Sequence, residues 1–204
     1  MITVGVDLAA KESNPTGICV LDDKIVVETV YTDREIVERI YGYKTGECLV
    51  AVDAPLVSDG VAKVRLADRL LKKYGALPPT MRGMRSLVSR AFNIVRDMRG
   101  RGYRVVEVFP IASAKILGIY DKDYRVVAKK LEIKISSKHE LDAYLCALTG
   151  KLFLEGKAMT VGDDDGKVVV PLKEWRYVVD QVPWNSGCTF RGDETTSGIR
   201  GTVA

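Results

Sequence analysis

Four carboxylates stand where a fold could gather them: Asp7 in Gly5-Val6-Asp7-Leu8-Ala9, Asp53 in Val50-Ala51-Val52-Asp53-Ala54-Pro55, Glu107 in Glu107-Val108-Phe109-Pro110, and Asp142 in His139-Glu140-Leu141-Asp142-Ala143. The first three lie at or near the C-terminal end of apolar runs with strand character, and Pro55 and Pro110 close two of those runs. Asp142 is different: it is the only charge between Leu141 and Leu148, in a run with helical periodicity. Carboxylates brought together repel, and some must take up protons unless a cation neutralises them. Hard oxygen donors without a His-Cys set suit Mg²⁺ or Mn²⁺. His139 comes one turn before Asp142 and should face the same spot.

The elements that must position these acids follow from periodicity and punctuation. Ile2 to Ala9 alternates as a strand, with Thr3, Gly5 and Asp7 on one face. Asn-Pro and Gly punctuation in Lys11 to Gly17 predicts a hairpin loop, with strands over Ile18 to Leu21 and Lys24 to Tyr31 completing a meander. Asp33 to Tyr43 reads as a helix capped by Thr32 or Asp33. Cys48 to Asp53 is apolar on both faces, as a central parallel strand is, and Leu49, Ala51 and Asp53 repeat the pattern of Thr3, Gly5 and Asp7. Helices are expected over Ala62 to Tyr74 and Met84 to Met98, a fifth strand from Arg104, and short helices over Ile111 to Leu117 and Asp123 to Ile133. The last helix should begin at Ser137 with Glu140 completing a capping box, bury Leu141, Tyr144, Leu145 and Leu148, and end at Gly150. Small Cys146 and Thr149 on the side of Asp142 suggest that this helix lies close to a neighbour.

Helical crossovers make strands one, four and five parallel neighbours, so Asp7, Asp53 and Glu107 fall at the carboxyl edge where open α/β sheets form sites. The expected fold is α/β, a five-stranded mixed sheet of order 3-2-1-4-5 flanked by helices, with a C-terminal hairpin and tail. Residues 1–155 form the main domain with a helical insertion at 60–102. Residues 156–182 form a hairpin packed on it, and the Gly-, Ser- and Thr-rich residues 183–204 a flexible tail.

Composition bounds the function classes. A chain of 204 residues with 47% hydrophobic and 28% charged residues can bury a core of its own. No apolar run approaches a membrane span and Met1 leads straight into a strand, so a cytoplasmic protein is the expectation. Cys19, Cys48, Cys146 and Cys188 show no metal spacing, and buried free thiols are expected. A single Gln against abundant Lys, Arg and Glu leans towards a thermophilic source. The net charge of +4 conceals a segregation, because residues 1–59 carry 11 acids against 5 bases while residues 60–104 carry 12 bases against Asp68 and Asp97. A basic middle third suggests a phosphate-bearing partner, with Lys11, Arg65, Arg85, Arg96 and Arg99 as candidate nucleic-acid contacts; solvated helix faces explain the same charges more plainly.

The ordered set GVDLA, VAVDAP, EVFP and HELDA resembles the ribonuclease H-like superfamily, and more narrowly the domain-of-unknown-function 429 family of predicted nucleases. The likeness spans about residues 1–155 and includes Arg65-x-x-Asp68 and Pro78-Pro79. It implies a metal-dependent nuclease that cleaves phosphodiester bonds by a two-metal mechanism using Mg²⁺ or Mn²⁺. Asp7, Asp53 and Asp142 would be ligands, Glu107 a supporting ligand, and His139 a further catalytic residue. His139 is similar in placement to the histidine three residues before the last-helix aspartate in RuvC-like resolvases. The early-helix glutamate of ribonuclease H has no good counterpart, since Glu35 and Glu38 fit that role poorly.

Each residue also has a plainer reading: Asp7 as a loop cap, Asp53 as an Asx-turn residue, Glu107 paired with Arg101 or Arg104, Asp142 paired with Arg65, and His139 idle. Two rival classes stand beside the nuclease. One is an ATP-binding phosphotransferase of the actin and sugar-kinase class, which shares the strand order, but the chain lacks a repeated half-domain and a second glycine-rich motif. The other is a catalytically silent binding or regulatory module.

Overall fold

The computed structural model describes residues 1–173, and a seven-stranded sheet runs through them in the order β3-β2-β1-β4-β5-β7-β6. Strands β1 (Ile2–Asp7), β2 (Thr16–Leu21) and β3 (Ile25–Val30) form the antiparallel meander. Strands β4 (Cys48–Asp53) and β5 (Arg104–Val108) run parallel to β1, so the first five strands have the 3-2-1-4-5 order expected from the sequence. The C-terminal hairpin, β6 (Ala158–Asp163) and β7 (Gly166–Pro171), does not pack on this sheet but extends it. β7 pairs parallel to β5 at Glu107–Val168 and Val108–Val169, which covers an edge that would otherwise offer unpaired amides.

Helices cover both faces. α1 (Asp33–Tyr41) and α3 (Arg82–Gly100) bury Ile36, Ile40, Ile94, Val95 and Met98 against Val4, Val6, Val50 and Val52. Thr32 caps α1 and Glu35 completes the capping box. The opposite face carries α6 (Lys138–Leu154), flanked by α4 (Pro110–Ile116) and α5 (Tyr124–Lys130). Period-2 alternation decides the sides: even-numbered residues of β1 and β4 meet α1 and α3, while Thr3, Gly5, Leu49 and Ala51 meet α6. Among the described residues, no helix is long and apolar enough to cross a membrane.

α6 departs from the sequence expectation in three ways. It continues past Gly150 to Leu154, and Gly156, at φ +72°, follows its end. Gly150 is instead a packing residue, because a Cβ there would lie 3.2 Å from the Cβ of Ala51. Burial is also not confined to a stripe: every residue from Glu140 to Gly150 is buried, since the sheet lies on one side and Leu117, Val127 and Leu131 on another. Lastly, Ser137 accepts from the Glu140 amide, but the Glu140 carboxylate accepts from Ser136 N at 2.6 Å and from Thr29 Oγ1 at 3.1 Å, tying the helix start to β3 instead of closing a capping box.

The insertion is less helical than its composition suggests. α2 covers only Leu66–Leu71 before a short 3₁₀ turn, and Val61–Arg65 approach it in irregular chain. Cys19, Cys48 and Cys146 are buried free thiols; Cys188 and the expected tail at 183–204 lie outside the described residues, as does the end of the expected 156–182 unit.

Candidate functional site

Asp7 and Asp53 are direct partners in the parallel pairing of β1 with β4. Adjacent strands stand about 4.8 Å apart, so these two carboxylates on one face are neighbours by construction. α6 reaches the same edge because two glycines let it. A Cβ on Gly5 would overlap the carbonyl oxygen of Ala143 and lie 2.5 Å from the amide nitrogen of Ala147. One on Gly17, the residue opposite Asp7 in the β1–β2 pairing, would overlap the carbonyl of His139. Helix backbone thus rests on strand backbone, and His139 and Asp142 descend to the level of Asp7 and Asp53.

Two basic side chains contact the cluster. His139 Nδ1 lies 2.7 Å from Asp7 Oδ2, and Lys138 Nζ lies 3.0 Å from Asp142 Oδ2 across one helical turn. The compensation is incomplete. Burial, then the charges of Asp7, Asp142 and Glu107, push the Asp53 carboxyl well above the usual carboxylate range. Burial and the charge of Asp7 raise Asp142 in spite of Lys138. The hydrogen bond to Asp7 raises His139, while Lys138 is raised against its own burial by Asp142, Asp7 and Asp53. Cys146, buried under the cluster, has its thiol held well above its ordinary value by burial and then by the same three aspartates. These shifts show the mutual repulsion that closely spaced carboxylates must feel.

Glu107 sits in a buried ion pair with Arg65. It is buried with both oxygens engaged: Arg65 Nη1 and Nη2 donate to it at 2.6 and 2.7 Å, and the amide of Leu56 donates at 2.6 Å. Its pairing partner is neither Arg101 nor Arg104. Arg65 is correspondingly 1% exposed and also bound to Asp68, which corrects the expectation that it meets phosphates. The pair fixes the chain three residues beyond Asp53, at the exit of β4.

Lys11, Arg85, Arg96 and Arg99 are exposed, and Arg99 donates to the carbonyl of Val105 at 3.1 Å. Arg90 went unnoticed in the sequence, yet it is buried and does for β1 what Arg65 does for β4. It donates to the carbonyls of Ala9 and Tyr31, both at 2.8 Å, and pairs with Asp33 at 2.7 Å. Its signal was its place as the only charge between Ser86 and Val95 on a helix with an apolar face. Lys138 was also missed, although its spacing of four residues from Asp142 on a helix announces the contact.

The donor chemistry suits a hard divalent cation: three aspartates from three separate elements, with oxygen ligands only. Among the described residues, however, no group of three or more His, Cys, Asp or Glu side chains is already arranged as a ligand set. Lys138 and His139 each engage a single oxygen, Oδ2 of Asp142 and Oδ2 of Asp7. The residues fit such an ion in kind, with repulsion available to favour its entry.

No protein-family model matches the chain, and no curated protein sequence matches it. Among solved structures, T. thermophilus RuvC in complex with a Holliday junction substrate is similar at 16% identity, over 76% of this chain and 96% of that one, with a TM-score of 0.49.

Proposed function

We propose that this chain is a nuclease that hydrolyses phosphodiester bonds with Mg²⁺ or Mn²⁺ at the edge where Asp7, Asp53 and Asp142 meet. The narrower likeness to the domain-of-unknown-function 429 family is part of the same proposal. The observation that carries it is geometric: Asp53 lies opposite Asp7 in the β1–β4 pairing and α6 rests on Gly5 and Gly17, and burial, Asp7 and Asp142 accordingly lift the Asp53 carboxyl. Three mutually repelling acids at the carboxyl end of a sheet store a cost that a divalent cation would relieve. A divalent ion held by Asp7, Asp53 and Asp142 would supply an activated water and stabilise the leaving oxygen.

The chain's own residues divide the remaining work. Asp7, between Asp53 on the next strand and Asp142 on the helix, is suited to serve both halves of the site. His139 is half-exposed at the edge of the cluster beside Asp7, where an imidazole can pass a proton to an outgoing oxygen. Glu107 and Arg65 hold the exit of β4, and Arg90 holds the exit of β1, which keeps Asp53 and Asp7 in place.

The test incubates labelled DNA and RNA, single- and double-stranded, with the protein in Mg²⁺, Mn²⁺ or EDTA, beside Asp7→Asn. Cleavage that needs the ion and vanishes in the variant is expected. Intact substrates under every condition would overturn the proposal. A second reading, a silent binding module, draws support from the Lys138–Asp142 contact, which neutralises one acid without any metal. Calorimetric titration with Mg²⁺ separates the two, because a silent module gives no heat of binding.

A further inference from the structure

Two clefts lie end to end along the exposed side of α3 and share Asn93. One, of about 610 Å³, is lined by Lys11, Arg85, Ser86, Ser89 and Asn93, with Arg90 at its base; the other, of about 460 Å³, by Asn93, Arg96, Gly100 and Arg101. From Arg85 to Gly100 the helix advances about 22 Å at 1.5 Å per residue. The loop that carries Ala10 and Lys11 leaves β1 just after Asp7, and Arg90 ties it to α3 through the carbonyl of Ala9.

The charges in this groove are unevenly matched. Its acids already have partners: Glu12 accepts from the Asp33 amide at 2.6 Å, Asp33 pairs with Arg90 at 2.7 Å, and Asp97 accepts from Tyr41 and pairs with Arg101 at 3.2 Å. Among the described residues, Lys11, Arg85 and Arg96 enter no ion pair. Arg85 gives only its Nε, to the carbonyl of Thr80 at 3.3 Å, and the Arg96 guanidinium lies 5.4 Å above the Phe92 ring. Uncompensated cations interleaved with serine hydroxyls and an amide make a donor set for phosphate oxygens. No aromatic side chain lines either cleft, so unstacked bases would find no platform there.

We infer that the α3 groove binds the sugar-phosphate backbone of a duplex nucleic acid, with Lys11, Arg85 and Arg96 as phosphate contacts, and delivers one strand to the acid cluster. This rests on the phosphodiesterase reading of Asp7, Asp53 and Asp142, and it makes the substrate a double-stranded polymer and not a small nucleotide. Recognition is of backbone and not of sequence.

The experiment is fluorescence anisotropy in EDTA, where no cleavage occurs, using duplex DNA, duplex RNA and single-stranded DNA of unrelated sequences. The wild-type protein is compared with Arg85→Ala/Arg96→Ala and with Lys122→Ala/Lys129→Ala, which removes two exposed lysines away from the groove. Duplex affinity should fall roughly tenfold or more at low salt in the arginine variant alone. Its log–log salt slope should become shallower by about 1.8, at about 0.9 per lost contact. Unchanged affinity in the arginine variant, an equal loss in the lysine variant, or tighter binding of the single strand would each overturn the groove. Failure here is distinct from failure of the catalytic reading: metal-dependent cleavage without duplex binding removes only the groove, and binding without cleavage removes only the nuclease.

Discussion

The backbone of Ala143 rests on the backbone of Gly5, with the helix carbonyl occupying the place of a side chain. A strand and a helix approach this closely only where no Cβ intervenes. That approach sets how far Asp142 projects over β1, and so how near it comes to Asp7. Gly5→Ala should therefore push α6 off the sheet and cost about 1–3 kcal/mol, as overpacking of a close interface does. Urea unfolding in EDTA measures this, with Gly46→Ala as the control, since nothing lies within 4 Å of a Cβ there. Equal stability of the two variants would show that α6 has room to spare.

The Arg65–Glu107 pair makes a second prediction. Arg65→Ala leaves a buried carboxylate without its main partner and should destabilise the fold by about 3–5 kcal/mol. Arg65→Met combined with Glu107→Gln removes both charges and should recover much of that loss. A full double-mutant cycle by chemical denaturation checks the coupling. Additive single effects would mean that the two groups stabilise the fold independently.

The elements around the site were legible where the signal was local. Alternation in Ile2–Asp7, the two-sided apolar run Cys48–Asp53 and the prolines at 55 and 110 gave the strands and their ends, and the crossover rule then gave Asp7 beside Asp53. Partners distant in sequence were not legible. Glu107 meets Arg65 across 42 residues along an insertion whose path no periodicity encodes. Gly150 obeyed neither the rule for helix ends nor that for turns, because its lack of a side chain serves packing against Ala51. A hairpin was legible within 156–182 and forms at 158–171, but a strand's sequence does not say which sheet edge it will join.

The site should also leave a signature in pH. Asp53, Asp142 and His139 all have folded-state pKa values raised above their ordinary ones. A raised group contributes stability that is complete below its unfolded pKa and lost as pH rises through the folded one. For the aspartates the loss begins above about pH 3.9, and for His139 above about pH 6.5. In EDTA, His139→Gln should therefore lose stability relative to wild type below about pH 6.5, with the difference shrinking on the alkaline side. Thermal unfolding across this range decides it: a difference between the two proteins that does not change with pH would remove the Asp7–His139 contact as its cause.

Asp142 decides between site and scaffold. Among the described residues its direct cationic partner is Lys138, whose side chain is 61% exposed, so the ion pair is worth little against the charge of Asp7. The carboxyl is raised on balance, which means that ionised Asp142 opposes folding at neutral pH. Asp142→Asn removes that repulsion and leaves Lys138 free to reach solvent. In EDTA at neutral pH the variant should therefore melt at the same temperature as wild type or higher, while losing the heat of Mg²⁺ binding and any Mg²⁺-dependent cleavage. Were Asp142 half of a buried structural pair, the substitution would instead cost about 3–5 kcal/mol. The two roles thus predict opposite signs in one unfolding experiment, and a large fall in melting temperature would withdraw Asp142 from the site.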